Sequence, residues 1–285
     1  MKGRYCYWSV VDGDYAMMAQ AMVKSARQVG VFRDFHIWTD RPIEGAICHE
    51  LGSFDKGYYH FKLTFMRDAL HPLNYEYFIW LDSDTYFVRH PGDVLRVLRS
   101  SPLHIALESD VCLPQNRRSD WWGCPNRQFA ELMRAKGVRS RAVFNVNAGL
   151  FIVHRDAIET VLRLTYDFWQ FCRDRGWTFT EEPLLAYAMQ MLCRNPHLHT
   201  LRATADFWAS DWTGCFRDQL PDGQSWWFVD YFTGENLPVN PAIVHAMRSK
   251  SALIAAVQPR LGSMPIAATT THNDSPAGNN TGSAR

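Results

Sequence analysis

Two aspartates one residue apart, Asp82 and Asp84, interrupt the apolar and aromatic stretch YFIWLDSDTYFV at residues 77–88. An ionised carboxylate in apolar surroundings is costly unless hydrogen bonds or a cation compensate it. The pair therefore lies either in a solvated turn, where Asp and Ser are common, or beside a cation. Carboxylate oxygens suit Mg²⁺ and Mn²⁺, which usually keep waters and substrate phosphates as further ligands. In the second case the cation can neutralise a departing nucleoside diphosphate.

The elements that must position this pair are short strands alternating with helices. Bulky apolar runs predict the strands, and apolar residues at helical spacing followed by a glycine predict the helices. Predicted strands are Tyr5–Val11, FHIWTD, Tyr77–Leu81, Thr85–Val88, LHIALES and NAGLFIVHRD; predicted helices are YAMMAQAMVKSARQV, YHFKLTFMRDAL, NRQFAELMRAKG, DAIETVLRLTYDFWQFCRDRG and TEEPLLAYAMQMLCR. This order predicts an α/β fold, doubly wound around a mixed, mostly parallel sheet.

Acidic residues follow three of the predicted strands. Asp12, Asp40 and Asp82 each stand at the carboxyl end of one. Sheets of this class bind ligands at the carboxyl ends of their strands. We therefore expect the three aspartates to lie on one edge of the sheet, at a ligand site.

Composition excludes several other classes of protein. The chain has 285 residues, 47% hydrophobic and 21% charged, with a net charge of +1. This is an ordinary globular composition without the basic excess typical of nucleic-acid binding. No apolar run has the length of a membrane span, although peripheral membrane association is compatible with the sequence. Seven scattered cysteines without a C-x-x-C pair, and no signal peptide, predict reduced thiols and a cytoplasmic location.

The composition changes once along the chain. From Gly262 onward the sequence is GSMPIAATTTHNDSPAGNNTGSAR, small and polar without apolar periodicity. Such a segment cannot bury enough apolar surface to fold. We therefore predict one domain over residues 1–262 and a disordered polar tail over 263–285.

Four segments resemble those of a known enzyme family. WLDSDTYFV resembles the D-x-D motif of GT-A glycosyltransferases, and VVDGDYA resembles the N-terminal D-D-N-Y-A segment of glycosyltransferase family 8. FNVNAGLFIVHRD and VHAMRSK resemble that family's F-N-A-G segment and its late metal-binding histidine segment. The four segments occur in the family's order between residues 5 and 250. The sequence departs from the family's pattern at Gly13, Val146, Arg248, Lys250 and Glu181-Glu182.

The resemblance implies a GT-A domain that binds a UDP-sugar with Mn²⁺ or Mg²⁺. Asp82, Asp84 and His245 would hold the metal, although a histidine after the apolar AIV is also typical of a core. Tyr15 would stack on the uracil ring, and Asp12 would accept a hydrogen bond from the base. The other positions implied to contact the donor are Val11, Lys62, Ser83, Asn145, Asn147 and Lys250.

Structural alternatives exist for several of these donor contacts. Lys62 and Arg67 both fall on a predicted helix, and the structural alternative for each is a position on its solvated face. By resemblance, a basic residue here approaches the donor sugar or phosphate, and Lys62 is the preferred candidate for that contact. Asn145 and Asn147 precede a buried strand, where asparagine often bonds only to the backbone. By resemblance, one of the two asparagines contacts hydroxyls of the donor sugar.

Two glutamates, Glu181 and Glu182, open the predicted helix after its N-cap residue Thr180. Acidic residues in a first turn interact favourably with the helix dipole, which is reason enough for one of them. By resemblance, a carboxylate or amide here lies beneath the anomeric carbon of a retaining enzyme, whereas in an inverting enzyme a glutamate here is the general base. Glu182 is the preferred catalytic candidate and Glu181 the second, since resemblance favours Glu182 and the small Ala186 leaves room beside it.

Tryptophan is frequent and often stands beside an acid. Most of the 11 tryptophans are expected in the core. However, Asp120, Trp121 and Trp122 lie in a predicted long loop, where aromatic faces can stack on a sugar ring. Asp211 and Trp212 lie in a second such region. We predict that these residues form the acceptor side.

Together, residues and resemblance predict a metal-dependent enzyme that moves a hexose from a UDP-sugar to an acceptor hydroxyl of a glycan or glycoconjugate, with retention preferred. An inverting GT-A transferase is an alternative within the same fold. A non-catalytic module that binds a sugar nucleotide or glycan is an alternative from another class. A sugar-nucleotide-forming nucleotidyltransferase is disfavoured, because VVDGDYAMM lacks a glycine-rich phosphate loop.

Overall fold

The computed structural model describes residues 4–52, 61–92, 101–116, 118–193, 207–210, 226–229 and 236–246. The elements in these ranges are β1 (Tyr5–Val11), α1 (Tyr15–Gln28), β2 (Phe35–Thr39), β3 (Ile47–Glu50), α2 (Phe61–Leu70), β4 (Tyr77–Leu81), β5 (Thr85–Phe87), β6 (Leu103–Asp110), β7 (Asp120–Trp121), β8 (Cys124–Pro125), α3 (Asn126–Ala135), β9 (Phe144–His154), α4 (Ile158–Arg173), α5 (Glu181–Leu192), β10 (Trp208–Ser210), β11 (Trp226–Val229), β12 (Asn236–Val239) and β13 (Ile243–His245).

A six-stranded sheet forms the centre of the fold, with strand order β3-β2-β1-β4-β9-β6. β1 pairs in parallel with both β2 and β4, and β2 pairs in parallel with β3. Only β9 runs against its neighbours, β4 and β6. The predicted α/β fold with a mixed, mostly parallel sheet is therefore confirmed.

Helices cover both faces of this sheet. α1 packs on one face, where Tyr7 stacks on Phe35 with ring centroids 4.8 Å apart. α2, α3, α4 and α5 pack on the other face, where Trp8 and Trp80 meet edge to face at 4.6 Å. The central strands β1 and β4 are almost wholly apolar because both faces are covered there, as in parallel sheets generally. This confirms the doubly wound arrangement.

A second, three-stranded sheet has the order β10-β13-β5. β13 lies antiparallel to β5, with His245 opposite Thr85. β5 is held against α1, because the backbone N–H of Phe87 donates to Ser25 Oγ at 3.0 Å. The small sheet therefore carries the late segment of the chain to the carboxyl end of β4.

The structure differs from the sequence-based prediction in several local features. β3 was not predicted, because only four residues form it and most of them are exposed. A tight hairpin, β7–β8, replaces the predicted long loop around Trp121 and Trp122. Thr180 occupies the N-cap position of α5, but its side chain makes no capping hydrogen bond. These three features depend on extended backbone conformation and on pairing between short segments. The periodicity of apolar residues in the sequence predicts neither.

Some predictions concern residues that the structure does not describe. Lys250, Asp211, Trp212 and the tail over residues 263–285 lie outside the described ranges, and the division into one domain and a tail stays a prediction. None of the helices in the described ranges has the length and apolar character needed to cross a membrane. Cys6, Cys48, Cys124 and Cys172 are free thiols.

Candidate active site

The D-S-D segment forms a tight turn directly after β4. The N–H of Asp82 donates to the carbonyl of Gly149 on β9 at 2.9 Å. The carbonyl of Asp82 accepts hydrogen bonds from Thr85, from the backbone N–H at 3.1 Å and from the hydroxyl at 2.7 Å. The turn therefore ends β4 at its carboxyl end and begins β5 after three residues, with both carboxylates at the corner.

His245 reaches this corner through the pairing of β13 with β5. The N–H of Ala246 donates to the carbonyl of Asp84 at 2.9 Å, which fixes the end of β13 beside the turn. The Nε2 atom of His245 lies 3.1 Å from Asp84 Oδ1 and 3.7 Å from Asp82 Oδ2. One ligand atom from each of the three residues lies within 4.8 Å of the other two. The structure thus brings together all three residues that the sequence suggested as metal ligands.

Gly149 on β9 leaves the space that the imidazole occupies. A Cβ atom at this position would lie 2.3 Å from both Cε1 and Nδ1 of His245. That separation is far below van der Waals contact, and His245 is only 1% exposed and cannot swing away freely. The strand β9 can therefore approach the His245 ring this closely only because residue 149 is a glycine.

The two aspartates change the acid–base behaviour of the histidine. Burial alone lowers the pKa of His245, but the hydrogen bond that its ring donates to Asp84 and the charges of Asp84 and Asp82 outweigh it, so the pKa is raised. The corner therefore attracts positive charge. Two carboxylates and one imidazole are a donor set that a divalent cation can occupy.

Lys62 on α2 supplies a second positive charge at the site. Its ammonium lies 2.9 Å from Asp82 Oδ1 and 3.0 Å from Glu181 Oε1. The indole N–H of Trp80 donates to the same oxygen of Asp82 at 2.7 Å. Burial favours the neutral amine, but the two carboxylates outweigh it and raise the pKa of Lys62. Because these contacts occupy Oδ1, the other oxygen of Asp82 is the one that faces His245.

The second glutamate of α5 has partners different from those of the first. Glu182 Oε1 accepts the N–H of Ala148 at 2.9 Å, and Oε2 accepts the indole N–H of Trp122 at 2.6 Å. Burial is the main cause of the raised pKa of Glu182, against the two N–H donors. Ala186 is fully buried, so the expected open space beside Glu182 is not present there. The position of the Glu182 carboxylate is set by its hydrogen bonds with Ala148 and Trp122.

Glu108 on β6 is a site residue that the sequence analysis missed. Its two carboxylate oxygens accept hydrogen bonds from the side-chain amides of Asn147 at 3.1 Å and Asn145 at 3.2 Å. Burial, and then the charge of nearby Glu182, raise the pKa of Glu108. The available signal was an acidic residue inside the otherwise apolar strand LHIALES. The two asparagines therefore serve at least to hold this buried carboxyl.

The residues suggested for the nucleotide lie along the same sheet edge. The N–H of Gly13 donates to Asp40 Oδ2 at 3.1 Å, which joins the ends of β1 and β2. Asp12 is half-buried beside it. Tyr15 begins α1 with its side chain 52% exposed, and is the residue of this group best placed to meet a ligand. Val11 and Ser83 are both buried.

Two other suggested residues lie away from this cluster. Arg67 lines a groove of about 530 Å³ between α2 and α4, together with Tyr166 and Trp169. Trp121 packs edge to face against Phe129, with ring centroids 5.1 Å apart. Arg67 therefore faces a different surface, and Trp121 is a partly buried residue packed against the core.

The fold is shared with solved glycosyltransferase structures. The apo bifunctional glycosyltransferase WbbM is similar with a TM-score of 0.56 at 10% identity, over 90% of this chain and 50% of WbbM. The galactosyltransferase LgtC, in complex with donor and acceptor sugar analogues, is similar with a TM-score of 0.53 at 11% identity, over 92% of this chain and 97% of LgtC. The chain therefore spans half the length of WbbM and nearly all of LgtC.

These similarities define the class of fold, which is that of GT-A glycosyltransferases. No protein-family model matches the sequence, and no curated protein matches it either. Family 8, one part of the resemblance noted above, therefore stays a prediction.

Proposed function

We propose that this protein is a metal-dependent glycosyltransferase that moves a hexose from a UDP-sugar to an acceptor hydroxyl of a glycan or glycoconjugate. The observation that carries the proposal is the cluster of Asp82, Asp84 and His245 at the carboxyl edge of a GT-A sheet. Ligands bind at this edge in open α/β sheets. A cytoplasmic location, with peripheral membrane association as an option, remains part of the proposal.

The cluster fits Mn²⁺ or Mg²⁺. Asp82 would offer Oδ2, because Lys62 and Trp80 already bond to Oδ1. Asp84 would offer a carboxylate oxygen, and His245 would offer Nε2. Mg²⁺ prefers oxygen ligands, whereas imidazole suits transition metals, so the mixed set favours Mn²⁺. When bound, the cation would neutralise charge on the departing diphosphate.

The chain's own residues would orient the donor around this corner. Lys62 holds Asp82 and Glu181 in place and lends the site a fixed positive charge. We propose that Tyr15 stacks on the uracil ring and that Asp12 accepts a hydrogen bond from the base. Direct contact of Lys62 or Lys250 with the donor is part of the same proposal, as is a role for Val11 and Ser83 at the nucleotide.

Glu182 is the proposed catalytic residue. Both of its oxygens accept N–H donors, so the carboxylate has a fixed orientation. In a retaining reaction it would lie beneath the anomeric carbon and stabilise the positive charge that develops there. An inverting reaction is a second candidate, because the raised pKa of Glu182 suits a general base for the acceptor hydroxyl.

The first experiment is a donor screen that measures released UDP with Mn²⁺, followed by NMR of the product's anomeric configuration. Retention supports the family 8 assignment, and inversion supports the general-base role. UDP binding without turnover of any donor would indicate a binding module instead.

The second experiment removes the metal ligands. Asp84→Asn should lower turnover by roughly 10²-fold or more, because an anionic oxygen ligand to a hard cation is lost. His245→Ala should weaken binding of Mn²⁺ and UDP together, measured by calorimetry. Near-native turnover in Asp84→Asn, or full activity in excess EDTA, would contradict the metal assignment.

A further inference from the structure

The hairpin β7–β8 places one tryptophan in an unusual backbone conformation. Trp122 and Gly123 connect the two strands, with φ values of +53° and +73°. A type I′ turn requires positive φ at both of its central residues, here Trp122 and Gly123. Asn-Gly is the pair that such turns strongly favour. Trp122 is the only non-glycine residue with positive φ in the described part of the chain. A bulky residue persists in this region only where its surroundings hold it.

The surroundings of the hairpin provide such support. Trp121 packs on Phe129 of α3, so one side of the hairpin is anchored in the core. Asn126 ties the base of the hairpin, because its N–H donates to the carbonyl of Ser119 at 3.0 Å. The turn is thus held firmly enough to present the Trp122 side chain in one direction.

That direction leads to the proposed catalytic carboxylate. The indole N–H of Trp122 donates to Glu182 Oε2 at 2.6 Å, while 48% of the residue remains exposed. The indole therefore extends from a half-buried carboxylate to the solvent. An exposed aromatic face fixed beside a reacting centre is a binding surface, since little conformational entropy remains to be lost when a ligand stacks on it.

We propose that Trp122 is the platform of the acceptor subsite and that it selects acceptors presenting a pyranose ring. The inference rests on the proposed glycosyl transfer and adds the class of acceptor. One face of a pyranose carries C–H groups and packs against an aromatic ring, while its hydroxyls point outward. A sugar stacked on this indole would bring a hydroxyl close to Glu182. Acceptors without such a ring, such as a serine side chain, would lack this contact.

Two substitutions separate the parts of the side chain. Trp122→Asn removes the ring but places a preferred residue in the turn, so the hairpin is expected to fold. Trp122→Phe keeps an aromatic face and removes the N–H that holds Glu182. Phe32→Ala is the matched control, because Phe32 is 80% exposed and precedes the amino end of β2, whereas the candidate site lies at the carboxyl ends of the strands.

The experiment uses the full chain, and the acceptor probes are methyl β-D-glucopyranoside and methyl β-D-galactopyranoside. Binding is measured with UDP and Mg²⁺, because paramagnetic Mn²⁺ broadens NMR signals, and turnover is measured with Mn²⁺ and no added UDP. Saturation-transfer NMR reports their binding, and UDP release from UDP-glucose or UDP-galactose reports turnover. Glycerol and N-acetylserinamide are the acceptors without a ring. Circular dichroism and the melting temperature verify the fold of each variant.

We expect the wild-type protein to bind at least one pyranoside and neither ring-free compound. Trp122→Asn should weaken pyranoside binding roughly ten-fold, and Trp122→Phe should affect kcat more than KM. Phe32→Ala should leave both unchanged. Equal pyranoside binding by wild type and a folded Trp122→Asn variant would overturn the inference, as would preference for the ring-free compounds. Absence of UDP binding in the wild type would instead count against the proposed function.

Discussion

At the scale of single residues, the two glutamates of α5 have separate partners. Glu181 forms an ion pair with Lys62, whereas Glu182 accepts hydrogen bonds from the backbone of Ala148 and the indole of Trp122. Glu181 is thus engaged in charge balance with Lys62, beside the cluster of Asp82, Asp84 and His245. Glu182 faces the surface on which Trp122 is exposed, and is the better candidate for the reacting carboxylate.

Substitution of Glu182 by glutamine tests this difference. Glu182→Gln should lower kcat by about 10²-fold or more while UDP affinity is preserved, because the lost charge acts in the transition state. The measurement is steady-state UDP release, with calorimetry of UDP binding beside it. An active Glu182→Gln with an inactive Glu181→Gln would reverse the assignment. If both variants remain active, neither carboxylate is catalytic.

A second prediction concerns Glu108 and the dependence of stability on pH. Burial raises the pKa of Glu108, so the folded state binds its proton more tightly than the unfolded state. The resulting stabilisation is present below the ordinary pKa and is lost as the pH rises through the raised value, by about 1.4 kcal/mol per pKa unit. The glutamine in the Glu108→Gln variant has no carboxyl group and therefore does not ionise as the pH rises. The variant's free energy of unfolding should therefore fall less steeply with pH than that of the wild type.

Chemical denaturation at pH 5 and pH 8 measures this slope. Glu44→Gln is the control, because Glu44 is exposed at the surface and should not alter it. An unchanged slope in Glu108→Gln would show that Glu108 ionises without penalty in the folded protein.

At the scale of elements, the site depends on how β9 meets β13. The antiparallel register of β5 and β13 sets His245 opposite Thr85, and β9 passes behind the imidazole at Gly149. Small side chains at such crossings allow close approach of the backbone. The cluster of Asp82, Asp84 and His245 is therefore a product of three strands rather than of the D-S-D turn alone.

Gly149→Ala tests this crossing. The added methyl group would meet the His245 ring at 2.3 Å, so we expect a loss of about 1–3 kcal/mol of stability and weaker Mn²⁺ binding. Thermal melts and calorimetry provide the measurements. Because the clash is with the imidazole, Gly149→Ala combined with His245→Ala should destabilise less than the sum of the two changes. Strict additivity would mean that the glycine serves another purpose.

At the scale of the whole molecule, the prediction from the sequence is that the C-terminal tail is dispensable for folding. Truncation after Leu261 should leave the melting temperature nearly unchanged, since the removed residues GSMPIAATTTHNDSPAGNNTGSAR offer little apolar surface to bury. Differential scanning calorimetry of the two chains is the measurement. A fall of several degrees would show that the tail packs against the domain.

The sequence by itself determined the class of fold and the metal candidates. Apolar strands alternating with helices predicted the doubly wound sheet, because burial on both faces imposes that pattern on each strand. The break in this pattern at Asp82 and Asp84 marked the carboxyl edge. His245 was found only through the resemblance, since it lies 161 residues from Asp84 and its neighbours are those of a core histidine.

Only the tertiary structure decided which other groups share the site. Lys62 contacts Asp82 and Glu181, Glu108 contacts the two asparagines, and Trp122 contacts Glu182. Each contact joins different elements, and the packing of those elements sets their distances. A periodic pattern records which face of one element is buried, but it carries no information about which residue of another element lies opposite. That is why Glu108, an acid in a strand, became a site residue only in three dimensions, and why the sequence suggested Trp122 for the acceptor side without showing its contact with Glu182.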